Sequence, residues 1–119
     1  LSVSDLEAIL YQRLDLIDYA EAMIEKIKTG EKDESAITEL SHIIGRLRVL
    51  RTRLHELITR IGSSNDVDTL LSYYKFISAP KEQEILSTLL LLDVGDDDFK
   101  ETVRKDLDDL SRLLTSLTT

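Results

Sequence analysis

Residues 36–61, AITELSHIIGRLRVLRTRLHELITRI, leave the chain little choice of fold. Ile37, Leu40, Ile43, Ile44, Leu47, Leu50, Leu54, Leu57, Ile58 and Ile61 recur in steps of three and four. At roughly 100° per residue they fall within about 140° of arc on one helix. A stripe of that length must be covered by other apolar surface, so the rest of the chain has to supply partner helices. Gly45 lies inside the stretch, where a glycine costs about 1 kcal/mol against alanine; close approach of a neighbouring helix is the expected compensation. Gly62 is expected to end the helix.

The flanking segments carry the same period. Leu6, Leu10, Leu14, Ile17, Ala20, Ile24 and Ile27 predict a helix to about Lys28, with Asp15, Asp18, Glu21 and Glu25 on its other side. Ser4 and Glu7 have capping-box spacing, and Gly30 is expected to supply a left-handed stop. The short link 31–35 suits antiparallel neighbours, with Asp33 or Ser35 as cap. After the loop 63–66, Val67, Leu70, Leu71, Tyr74 and Ile77 predict a short helix. Ser78-Ala79-Pro80 is expected to break it, because proline fits a first helical turn but not an interior. Ile85 to Leu92 is apolar almost all round, which means either deep core or a docking patch. Asp98 and Glu101 form a second capping pair. Phe99, Val103, Leu107, Leu110, Leu114 and Leu117 predict a last long helix. The expected architecture is all-α, a bundle of about five helices, three long and two short, in a single domain spanning 1–119. Because the chain starts at Leu1, the expectation is a domain cut from a longer protein.

Composition agrees and narrows the chemistry. One Pro, four Gly and 5% aromatics are too few turn and strand residues for a β-rich domain. A net charge of −8 argues against a surface that grips phosphate throughout. The lack of cysteine removes disulfides, thiol nucleophiles and cysteine metal sites. The longest apolar run, Leu89–Leu92, is far short of a bilayer span. The expectation is therefore a soluble intracellular protein of the cytoplasm, nucleoid or nucleus, with no cofactor and no metal. His42 and His55 are thirteen apart and cannot form a helical metal pair. A calcium loop starting at Asp93 would need glutamate where Arg104 stands. No Gly-rich phosphate loop and no Ser/His/Asp signature is present, so no enzymatic role is expected.

Two surfaces stand out as candidates for binding. Arg46, Arg53 and Arg60 are spaced by seven and form one line beside the apolar stripe, with Arg48 on the opposite flank. Arg51 falls within the apolar arc, where it must snorkel or pair with an acid. The line could meet an acidic partner or, as a local patch, nucleic acid. The simpler reading is pairing inside the bundle: residues 36–61 carry five Arg and two Glu, between segments 5–28, with six acids and three bases, and 96–112, with seven acids and four bases. Tyr73, Tyr74 and Phe76 with Leu89, Leu90, Leu91 and Leu92 are the second candidate, since aromatics and leucine clusters anchor interfaces; ordinary core is the alternative.

Two family resemblances bear on these residues. His42 in Leu40-Ser41-His42-Ile43-Ile44-Gly45-Arg46, placed opposite the apolar stripe, is similar to the acceptor of histidine phosphotransfer domains, and that resemblance implies phosphoryl transfer to the imidazole. That family would carry a lysine three positions after the histidine and then a glycine; here those places hold Gly45 and Arg46, and the plainer reading is a surface histidine. Residues 6–92 resemble the helical A-domain of GINS replication subunits in an acidic first helix, the run Arg46-Leu47-Arg48-Val49-Leu50-Arg51-Thr52-Arg53-Leu54, and Pro80-Lys81-Glu82-Gln83-Glu84. That resemblance implies a subunit of a nucleic-acid-associated complex, although no β-rich domain follows. The reading these residues carry furthest is a non-catalytic protein–protein interaction or assembly module, able to self-associate through coiled-coil-like stripes.

Overall fold

The computed structural model describes residues 2–63 and 66–118, without the side chain of Thr118. They form α1 (Val3–Thr29), α2 (Glu34–Ser63), α3 (Val67–Tyr73), a π-helical turn (Tyr74–Ser78), α4 (Ala79–Leu91) and α5 (Asp97–Thr118). α3, the π turn and α4 follow one another without a break. Four rods therefore stand where five helices were expected.

Cross-links between the rods fix their order. Arg48 meets Glu21 and Glu25 of α1 while Arg51 meets Asp18 and Glu21, so α1 and α2 are antiparallel. Arg46 to Glu84 and Arg53 to Tyr73 set α2 antiparallel to the third rod. Gln83 to Ser111 and Lys75 to the Leu117 carbonyl do the same for the third rod and α5. Arg13 to Asp106 and the Tyr19–Phe99 ring pair close the ring between α5 and α1. The result is an up-down-up-down bundle, 49 × 24 × 18 Å, with one contiguous core along its axis. Its apolar stripes are those the sequence marks. Leu6, Leu10, Leu14, Ile17, Ala20 and Ile24 of α1 are buried against Leu40, Ile43, Ile44, Leu47, Leu50, Leu54, Leu57 and Ile61 of α2. No helix among the described residues is long and apolar enough to cross a membrane.

Several local expectations change. The first capping box is Ser2 with Asp5, each backbone N–H donating to the other's side chain at 3.1 Å, rather than Ser4 with Glu7. The Asp5 carboxylate completes the motif three residues after Ser2, so α1 begins a half-turn earlier. Gly30 is right-handed (φ −89°, ψ −3°), and its N–H donates to the Ile27 and Lys28 carbonyls. α2 runs through Gly62 to Ser63, whose hydroxyl donates back to the Thr59 carbonyl. The carboxylate of Asp96, not Asp98, accepts from the Phe99 N–H at 2.8 Å to cap α5. Gly45 faces open space: a Cβ built there meets nothing within 4 Å, so no close helix approach depends on it. The glycine that matters sterically is Gly95, at φ +88°, where a Cβ would lie 2.6 Å from the Phe99 ring and 3.2 Å from Ile27.

Pro80 does not end a helix. It sits in the first turn of α4, directly after the π turn, in which the Ala79 N–H donates to the Tyr74 carbonyl five residues back. Widening the helix just before the ring accommodates the residue that lacks an N–H and would clash with the carbonyl four positions earlier. The wider turn also shifts which side chains face inward. Tyr74, Ser78 and Glu82 are buried in succession, whereas Ile77, expected on the apolar face, is turned outward.

Candidate functional site

Charge gathers at two places, one closed and one open. The closed one lies at mid-bundle. Arg13 of α1 donates from Nε to both Glu82 oxygens, at 2.9 and 3.1 Å, and from Nη1 to Asp106 Oδ1 at 2.8 Å. All three residues are buried, and they tie α1, α4 and α5 together. Desolvation pushes the Glu82 carboxyl up to about 7, against the opposing pull of Arg13. Burial raises Asp106 in the same sense. Arg13 itself loses to desolvation but gains more from the two carboxylates, so its guanidinium stays charged. Arg13 Nη2 and the Tyr74 and Ser78 hydroxyls make no hydrogen bond within the described protein. The cluster is walled off from solvent and links three rods. The sequence carried its signal: Arg13 is three from Leu10 and four from Ile17, Asp106 three from Val103 and four from Leu110, and Glu82 three from Ile85 and four from Leu86. Each charge sits on an apolar stripe.

The open site is a groove of about 550 Å³ between α2 and α4. Its floor is apolar, made by the buried faces of Leu50 and Ile85. Val49 stands on the α2 side, 55% exposed, although valine there lies off the core stripe. Around this apolar centre are Arg46 and Arg53 of α2 and Lys81 of α4, with Glu84 the single carboxylate in the lining. Ser41, His42 and Gly45 complete the α2 wall, and His42 is exposed. Arg46 pairs with Glu84 at 3.1 Å, both largely exposed, which closes one end of the groove only loosely. Arg53 Nη1 donates to the Tyr73 hydroxyl at 3.5 Å. Neither Arg53 nor Lys81 forms an ion pair with a described residue. On a chain of net charge −8 this is a locally cationic concavity over apolar flooring.

The five arginines of α2 thus divide. Arg48 and Arg51 spend their charge on α1: Arg48 donates to Glu21 at 2.6 Å and to Glu25 at 3.2 Å, and Arg51 to Asp18 at 3.2 Å and to Glu21. Partial burial raises Glu21, but the hydrogen bonds from Arg48 and Arg51 outweigh it and leave its carboxyl below the ordinary value. Arg46 and Arg53 reach the groove. Arg60 is exposed, does not line the groove, and pairs with no described acid.

The aromatic and leucine candidates scatter. Tyr73 stands at the edge of exposure beside Arg53. Tyr74 and Leu89 are enclosed in the core and leave the list of surface candidates, because the π turn aims Tyr74 inward and Leu89 continues the stripe of Ile85 and Leu86. Leu90 and Leu92 are half-buried against the core. Phe76, 69% exposed under the Lys75 ammonium 5.1 Å from its ring centre, and Leu91, 86% exposed, point to solvent away from the groove. Of the other groove residues, Val49 has a signal in the sequence as an apolar residue outside the stripe, whereas Lys81 has none. No cluster of three or more His, Asp or Glu among the described residues is placed to hold a metal ion.

No known family, curated protein or solved structure matches the chain.

Proposed function

We propose that the protein is a non-catalytic interaction module and that the α2/α4 groove is its docking face. One observation carries this reading: an apolar floor bordered by Arg46, which holds only an exposed pair with Glu84, and by Arg53 and Lys81, which pair with no described carboxylate, on a chain that pairs Arg13, Arg48 and Arg51 internally. Sequestered arginines stabilise the bundle; Arg53 and Lys81 add like charge to one wall without an intramolecular return, as expected of a surface that meets another molecule. The apolar floor supports a protein partner over a phosphate backbone, since no stacked aromatic platform accompanies the cations. The test is chemical-shift mapping on isotope-labelled protein with a panel of amphipathic helical peptides of acidic, neutral and basic character. The reading requires that at least one peptide moves the amides of Gly45, Val49, Arg53 and Lys81; shifts confined to Phe76 and Leu91, or none at all, would remove it.

A second reading is favoured by the position of His42, exposed on the groove wall with Arg46 and Lys81, cations able to neutralise a phosphoryl group. Incubation with phosphoramidate followed by mass measurement decides it. Uptake lost in His42→Gln supports phosphoryl acceptance, and no uptake by the native chain rules it out.

A further inference from the structure

We infer that the occupant of the groove is an acidic amphipathic helix of another protein, with carboxylates two turns apart bracketing an apolar side chain. This rests on the reading of the groove as a docking face and adds the partner's chemistry. Arg46 and Arg53 are seven residues apart on one face of α2, about 10.5 Å along the axis. The contacts Arg53–Tyr73 and Arg46–Glu84 fix the register of α2 against the third rod at two points, and Val49 lies between them on α2, lining the groove with Leu50 and Ile85. The recognition surface therefore reads cation, apolar, cation at helical spacing, with Lys81 adding charge from the opposite wall. A helix laid along it matches with acids at i and i+7 and apolar residues at i+3 and i+4, which share a face with them. The acid nearer Arg46 competes with Glu84 for a pair that is exposed and weak.

A second copy of the chain fits poorly. Two of its exposed acid pairs have the spacing. Glu101 and Asp108 of α5 bracket Arg104 and Lys105, cations where the groove offers Val49. Asp18 and Glu25 of α1 are already engaged by Arg51 and Arg48. The partner is therefore a different protein.

The test is a fluorescence-anisotropy titration with a labelled helical peptide that has glutamates seven apart and leucines three and four after the first. Its controls are the same helix with lysines for the glutamates, and a glutamine version. The expected result is binding of the glutamate peptide that weakens as salt rises, at least about tenfold loss with Arg53→Glu/Lys81→Glu, and recovery of that variant with the lysine peptide. Val49→Asp should cause a loss of similar size. Tighter groove binding of the lysine or glutamine peptide to native protein would overturn the acidic occupant yet leave the docking face standing. Absence of groove binding by every peptide would overturn both. Preferential binding of a single-stranded oligonucleotide at the same residues, or light scattering that shows the groove covered by a second copy, would also overturn the inference.

Discussion

Arg13 and Arg53 are the same residue type in a chain with eight more acids than bases, yet the fold treats them oppositely. Arg13 is enclosed by two carboxylates from two other rods at 2.8 to 3.1 Å. Arg53 lies on a groove wall with a tyrosine hydroxyl at 3.5 Å and no acid. A buried guanidinium without partners would cost several kcal/mol, so Arg13 can exist only where Glu82 and Asp106 already converge. Arg53 is under no such demand, because it is only half-buried and lines a groove open to solvent. In this bundle a cation's pairing, more than its place in a sequence pattern, separates charges that tie rods together from those that the fold leaves facing an open groove.

The largest effect should come from breaking the closed site. Arg13→Met leaves two buried carboxylates facing each other and is expected to destabilise the bundle by about 3–5 kcal/mol in urea unfolding. Replacing all three members with apolar residues of similar volume should restore most of that loss, since breaking a buried pair costs more than removing it. A triple variant as unstable as Arg13→Met would show that the cluster does more than balance its own charge.

Next in size is the pH dependence of the same site. Unfolded, Glu82 titrates near its ordinary 4.5; folded, near 7. Between those values the folded state holds the extra proton, so stability falls as pH rises through this window, by up to about 3 kcal/mol. Asp106, also raised, adds to the slope in the same direction. Glu82→Gln should flatten the decline between these two Glu82 values, and an unchanged slope would place the titrating group elsewhere. Gly95→Ala should cost about 2 kcal/mol, from the left-handed backbone and the contact with Phe99, whereas Gly45→Ala, with open space and a better helix former, should stabilise by up to about 1 kcal/mol.

The stripes of α1 and α2 were legible residue by residue because a period of three and four survives in any bundle. Three things were not. Pro80 reads as a break because proline does not fit a helix interior, and the π turn that accommodates it brings Tyr74 and Ser78 into the core. The caps slipped by two residues, since Ser2, Ser4, Asp96 and Asp98 all carry suitable side chains and only the rods' entry angles choose among them. For the buried charges the sequence offers only stripe spacing at Arg13, Glu82 and Asp106; that the three meet depends on how α1, α4 and α5 pack. As for the groove, Arg46 and Arg53 are marked by their heptad spacing and Val49 falls between them on the same helix, but Lys81 joins them only through the register between α2 and an unbroken third rod.

The most direct check on the contrast is urea unfolding of Arg46→Ala/Arg53→Ala/Lys81→Ala beside the native chain. If these cations are reserved for a partner, the unfolding free energy should stay within about 0.5 kcal/mol of the native value. A loss comparable to that of Arg13→Met would mean that the groove cations hold the fold together and would contradict the account.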